Sequence, residues 1–129
     1  MFSDLNVFKV AYAMATHAGQ RQAVISRNMA NADTPGYRAR DIEPFEKALE
    51  NRQSTQTMIA TRPGHLNAAG SNGHLWAEFV REGAVDPNGN GVSLETEMLN
   101  AVEVKRQHDR AVAIYKSSLG ILRTSLGKA

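Results

Sequence analysis

The stretch LETEMLNAVEVKRQHDRAVAIYKSSLGILRTSL, Leu94–Leu126, decides the fold. Alternating steps of four and three residues link Leu94, Met98, Ala101, Lys105, His108, Val112, Tyr115, Leu119, Leu122 and Leu126. A mostly apolar row at that spacing falls on one stripe of a continuous helix. Ile114 and Ile121 widen the stripe near its end. Ser93 suits the N-cap, and Glu95 and Glu97 sit in the first turn, facing the positive end of the helix dipole. Arg123 lies in the last turn, and Gly127 suits the position just past it. Such a helix is about 50 Å long at 1.5 Å per residue. It cannot bury its stripe against itself, so it requires a partner of similar length.

The other end of the chain supplies one. Ser3 can cap a helix that continues to about Ala32. Phe8, Ala15, Gln22 and Met29 form one row at heptad spacing, and Ala11, Ala18, Ile25 and Ala32 form its companion. Both rows are rich in small residues, which allows close approach of a second helix. The expected fold is therefore mainly α, with long N- and C-terminal helices paired as a coiled coil. The predicted seam includes Phe8, Ala15, Ile25 and Met29 on one helix. On the other it includes Leu94, Met98, Val112, Tyr115, Leu119, Leu122 and Leu126.

The N-terminal helix stops within SRNMANADTPGYRARD, Ser26–Asp41. Pro35 cannot continue a helix and disfavours helical geometry at Thr34. Pro35-Gly36 suits the centre of a type II turn. Three segments follow: 1–32 as the first helix, 33–91 as a mostly irregular connector, and 92–129 as the second helix. Within the connector, Pro44–Glu50 suits a short helix with Pro44 in its first turn. Leu75–Arg81 fits a strand, as in a β-hairpin, or a helical turn equally well. Between Glu50 and His74 the large aliphatic residues are Met58, Ile59 and Leu66, little apolar surface to set against chain entropy. A connector so long and so poor in core makes more sense if other subunits contact it.

Composition excludes several functions. The formal net charge is +2, without a like-charge block, so no nucleic-acid footprint is expected. The chain has no cysteine, which removes disulfides, thiolate metal sites and cysteine nucleophiles. No run approaches the roughly 18 apolar residues of a membrane span. No secretory signal is visible at the N-terminus. Phosphate-binding loops, nucleophile elbows and dinucleotide fingerprints are missing, so no catalytic residue, cofactor or small-molecule substrate is expected. One motif points elsewhere. Asp86-Pro87-Asn88-Gly89-Asn90-Gly91 followed by Glu97 fits the EF-hand calcium loop pattern. The loop has only two anionic side chains, and its structural alternative is a glycine-rich turn entering a capped helix. The histidines, His17, His65, His74 and His108, show no metal-ligand spacing.

Asn28-Met29-Ala30-Asn31-Ala32-Asp33-Thr34-Pro35-Gly36-Tyr37 resembles the N-terminal signature of flagellar rod and hook proteins. Met29 replaces a usual isoleucine. The "TRPGHL" stretch and the "NGVSLETEM" entry to the last helix resemble motifs of the family's proximal rod members. Rod proteins of the FlgC type, which approach that helix differently, are the alternative within the family. The alternative outside it is a calcium-responsive helical regulator using Asp86–Glu97.

The resemblance implies a non-enzymatic structural subunit of the flagellar basal-body rod, a hollow shaft that transmits torque from motor to hook. It implies type III export without a cleaved signal, and polymerisation in the periplasm. The implied partners are copies of the chain, other rod proteins, inner-membrane ring and rod-adaptor components, and the export apparatus. The implied assembly motif is Asn28, Ala30, Asn31, Thr34, Pro35, Gly36, Tyr37 and Arg40. The asparagines are expected to cap the helix end, and Tyr37 and Arg40 to contact adjacent subunits.

Overall fold

The computed structural model describes residues 2–54 and 76–127. Its elements are α1 (Phe2–Ala30), β1 (Arg40–Ile42), α2 (Phe45–Ser54), β2 (Glu78–Val80) and α3 (Leu94–Ser125). The fold is mainly helical, with the two long terminal helices packed on each other. Ser3 lies inside α1 instead of before it. Ser93 caps α3 in an extended conformation and accepts the Thr96 N–H at 3.4 Å. Glu95 and Glu97 occupy the first turn, Arg123 the last, and Gly127 follows with φ +69°.

The helix pair is antiparallel. The Phe8 ring meets Tyr115 edge-on at 5.2 Å between centroids, near the chain termini. At the other end of the pair, Asn28 reaches Glu97. Between these points Ala18 and Ile25 of α1 pack against Val104, with Ala101 partly buried beside them. Ala11 and Ala111 are also buried, and their small side chains let the backbones come close. Burying Ile25 and Val104 contributes about 2 kcal/mol each.

The buried row of α3 is Glu97, Val104 and Ala111. It sits one position before the predicted Met98, Lys105 and Val112. One residue is a rotation of about 100°. An apolar count misses this rotation because it leaves out Glu97, which is buried in the row and paired inside the fold with Arg81 and Asn28. Leu94, Met98, Tyr115 and Leu126 are exposed in the single chain, and Val112, Leu119 and Leu122 are half-buried. On α1, Ile25 is buried, Phe8 and Ala15 are half-buried, and Met29 is exposed.

A second core lies on another face of α1. Val24 packs there with Ile42, Ala48 and Trp76, and Phe45 lies against them. The connector thus contributes apolar anchors of its own. Its helix, α2, runs to Ser54, past the expected Glu50. Pro44 immediately precedes it and accepts the Ala48 N–H at 3.1 Å. Of the two alternatives for Leu75–Arg81, the chain adopts a strand, at Glu78–Val80. It pairs antiparallel with β1, placing Arg40 opposite Val80, Asp41 opposite Phe79 and Ile42 opposite Glu78. The TRPGHL stretch, His65 and His74 lie outside the described residues.

Candidate functional site

The junction where α1 stops gathers most of the polar chemistry. Asn31 ends the helix locally. Its side-chain N–H donates to the Arg27 carbonyl at 2.8 Å, and its Oδ1 accepts the Thr34 hydroxyl at 3.1 Å. The Tyr37 N–H then donates to the Thr34 carbonyl at 3.3 Å, and Gly36 adopts φ +76°. That is the expected type II turn, with Pro35 and Gly36 at its centre.

Asn28 does something else. Its side chain is fully buried, and its amide uses both donors and both acceptor positions. Nδ2 donates to the Arg40 carbonyl at 2.7 Å and to Glu97 Oε2 at 3.1 Å. Oδ1 accepts the Arg40 N–H at 3.0 Å and the Tyr37 hydroxyl at 3.2 Å. One side chain therefore ties α1 to the connector and to α3. This is not capping of its own helix, because each partner lies beyond the stop.

Glu97 is held from a second direction by Arg81, whose other guanidinium nitrogen reaches Asp41 at 3.1 Å. Arg21 approaches the same Asp41 carboxylate at 3.0 Å. Two arginines and two carboxylates so link α1, β1, the residue after β2, and α3. Burial works against the charge on Asp41. Hydrogen bonds from Arg21, the Ile42 amide and Arg81 outweigh it and hold the carboxyl below its ordinary value. Burial likewise opposes the charge on Arg81, and its bonds to Glu97 and Asp41 prevail, raising its pKa.

The loop with the calcium-like pattern docks on the helix stop. Asn90 is buried, and its Nδ2 donates to the Asn31 carbonyl at 2.9 Å and the Thr34 carbonyl at 2.7 Å. Its Oδ1 accepts the Val92 N–H at 2.8 Å. The Gly36 N–H donates to the Asn88 carbonyl at 3.1 Å, and the Gly91 N–H to the Tyr37 carbonyl at 2.8 Å. Glu97, the twelfth-position ligand of the pattern, spends its oxygens on Arg81 and Asn28. These contacts make the loop a clasp of backbone and amide groups around the Thr34–Tyr37 turn. Among the described residues no group of three His, Asp or Glu is placed to hold a metal ion.

The junction therefore brings together Asn28, Asn31, Thr34, Gly36 and Tyr37, with the Arg40 backbone. Ala30 and Pro35 are exposed at its rim. The Arg40 guanidinium points outward, 3.6 Å from Glu78. Asp41 and Arg81 lie outside the sequence-predicted site, and the partnerships of Asn90 and Glu97 differ from those the loop pattern suggests. The density of asparagine and glycine in residues 86–91 is a local signal for the Asn90 clasp, whereas the ion pairs of Asp41 and Arg81 are long-range and leave none.

A family model described as flagella basal body rod protein matches residues 13–38, the second half of α1 and the whole helix stop. Among curated proteins, the flagellar basal body rod protein FlgB of Agrobacterium fabrum is 32% identical over 119 residues, spanning 88% of this chain and 87% of that protein. The FlgB of Buchnera aphidicola is 27% identical, across 92% of this chain and 93% of its own. The FlgB of Bacillus subtilis is 25% identical, across 86% of this chain and 85% of its own.

Proposed function

The chain belongs to the FlgB family of flagellar basal-body rod proteins and is a structural subunit of that rod, and on that premise we propose that its copies polymerise with other rod proteins into a hollow, torque-transmitting shaft. The subunit works by assembly, without a catalytic step. It is exported by the flagellar type III apparatus without signal cleavage and assembles in the periplasm, next to inner-membrane ring and adaptor components. Among the described residues no helix is long and apolar enough to cross a membrane.

One observation carries this reading. α3 buries one face against α1 and leaves an adjoining apolar face open. Met98, Val102 and Leu126 are 59%, 58% and 76% exposed in the single chain. The open face continues into a groove of about 430 Å³ between the helices, lined by Ala18, Gly19, Gln22, Ala101, Val102, Lys105 and His108. Large apolar side chains left open beside a groove of this size call for a protein neighbour. A face of one copy meeting a different face of the next need not close, and so gives a filament. Arg40, whose guanidinium faces outward, and the half-buried ring of Tyr37, whose hydroxyl is held by Asn28, are the proposed contacts to adjacent subunits.

The test is Met98→Asp in cells whose own copy has been removed. The substituted chain keeps its helix content and is exported, but rods do not form and motility is lost. Full motility with that variant contradicts the proposal.

A further inference from the structure

The second buried face of α1 holds the connector through His17, Gln20 and Val24. Gln20 clasps the Trp76 backbone, donating to its carbonyl at 2.7 Å and accepting its N–H at 3.1 Å. His17 is 1% exposed, and its Nε2 lies 2.7 Å from the Glu43 carbonyl oxygen. A carbonyl only accepts, so Nε2 carries the proton and the neutral ring leaves Nδ1 bare. Nδ1 is buried and has no hydrogen-bond partner among the described residues. The ring stands edge-on to Trp76 at 4.9 Å and to Phe45 at 5.6 Å between centroids.

We propose that His17 is a pH-sensitive latch. Neutral, it holds Glu43, Phe45 and Trp76 of the connector on α1; protonated, it releases them, while the α1–α3 pair on the neighbouring face persists. A proton on Nδ1 creates a charged N–H in an aromatic pocket that offers it no acceptor among the described residues, and that disfavours the docked state. The surrounding charges do not rescue it. Arg21, one turn along α1, repels the imidazolium, and Asp41 of β1 is already paired with Arg21 and Arg81. Glu46 of α2 is exposed, so its attraction is screened.

Burial is the largest influence on the imidazole and lowers its pKa. Arg21 also lowers it, the Glu43 hydrogen bond, Asp41 and Glu46 raise it, and the result lies below the ordinary 6.5. The docked connector thus binds fewer protons at His17 than the released one. Docking has full strength above pH 6.5 and weakens as pH falls below that value. Between the released and docked pKa values each pH unit weakens it by about tenfold.

The experiment uses the full chain, in which Trp76 is the only tryptophan. The His17 titration is followed by NMR, and the access of acrylamide to Trp76 by fluorescence quenching, from pH 8 to pH 4.5. The expected result is a His17 midpoint below the ordinary value, a several-fold rise in quenching that follows it, and unchanged helix content. His17→Gln keeps a donor for Glu43 and should abolish the step; His74→Gln and His108→Gln should retain it. If the glutamine variant does not dock at pH 8, coincidence of the two wild-type curves decides. An ordinary or raised His17 midpoint, equal quenching across the range, or the same step in a docked His17→Gln chain overturns the proposal.

Discussion

At the scale of single residues, Asn28 is the side chain on which the junction turns. Replacing it with alanine leaves the Arg40 backbone, the Tyr37 hydroxyl and one Glu97 oxygen without their partner. The expected cost is about 3 kcal/mol, read as a lower urea midpoint. Asn28→Asp keeps the shape but sets a carboxylate against Glu97, and should cost at least as much. A neutral Asn28→Asp would mean that the contact with Glu97 is not made. Asp41 gives a second expectation. Its carboxyl is held below the ordinary 3.8, so the folded junction binds fewer protons there than the unfolded chain. Its stabilising contribution is complete above that value and is lost as pH falls through the lower folded one. Asp41→Asn should flatten unfolding curves measured below pH 4, at the expense of stability at neutral pH. The sequence made Asn28 and Asn31 visible as a pair one turn apart, but not their division of labour. That depends on residues 12 and 69 positions away, which no local pattern reports.

At the scale of elements, the lesson of α3 concerns which face is buried. Its existence, its cap and its ends followed from heptads, Ser93 and Gly127. The orientation did not, because an apolar count has no way to put Glu97 inside and Met98 outside. Val104→Asp should therefore dissolve the helix pair, with loss of far-UV helical signal at ordinary temperatures. Met98→Asp, six residues away, should leave that signal intact. The β1–β2 pairing was equally hard to foresee. Each strand has three residues, too few for an alternating pattern, and they lie about forty positions apart in the chain. The Pro35-Gly36 turn was legible because proline and glycine restrict the backbone locally. Its mate was not. Gly89 has φ +83°, and a Cβ there would lie 3.2 Å from the Gly36 Cα. Gly89→Ala should cost more than the ~1–2 kcal/mol of a left-handed backbone alone. Gly36→Ala, with φ +76° but open space around it, should stay near that figure. Thermal melts of the two variants provide the comparison.

At the scale of the whole molecule, the chain is a long helix pair with a polar knot where α1 stops. The Glu97–Arg81–Asp41–Arg21 cluster fixes how the connector leaves the rod-like body, and the neighbouring aromatic core holds it against α1. The exposed face of α3 is then presented at a set angle to that knot, which is what a repeating assembly needs from each subunit. All of this requires α1 and α3 to fold antiparallel within one chain. The absence of cysteine makes this directly measurable. Spin labels are attached at Lys9→Cys and Lys116→Cys of one chain, which is then diluted into unlabelled chains. Phe8 touches Tyr115, so the labels should lie within roughly 20 Å, given helix axes about 10 Å apart, and dilution should not change the distance. A separation near 45 Å, the length of either helix, would show that the two ends of a chain do not pair with each other, and would contradict the account.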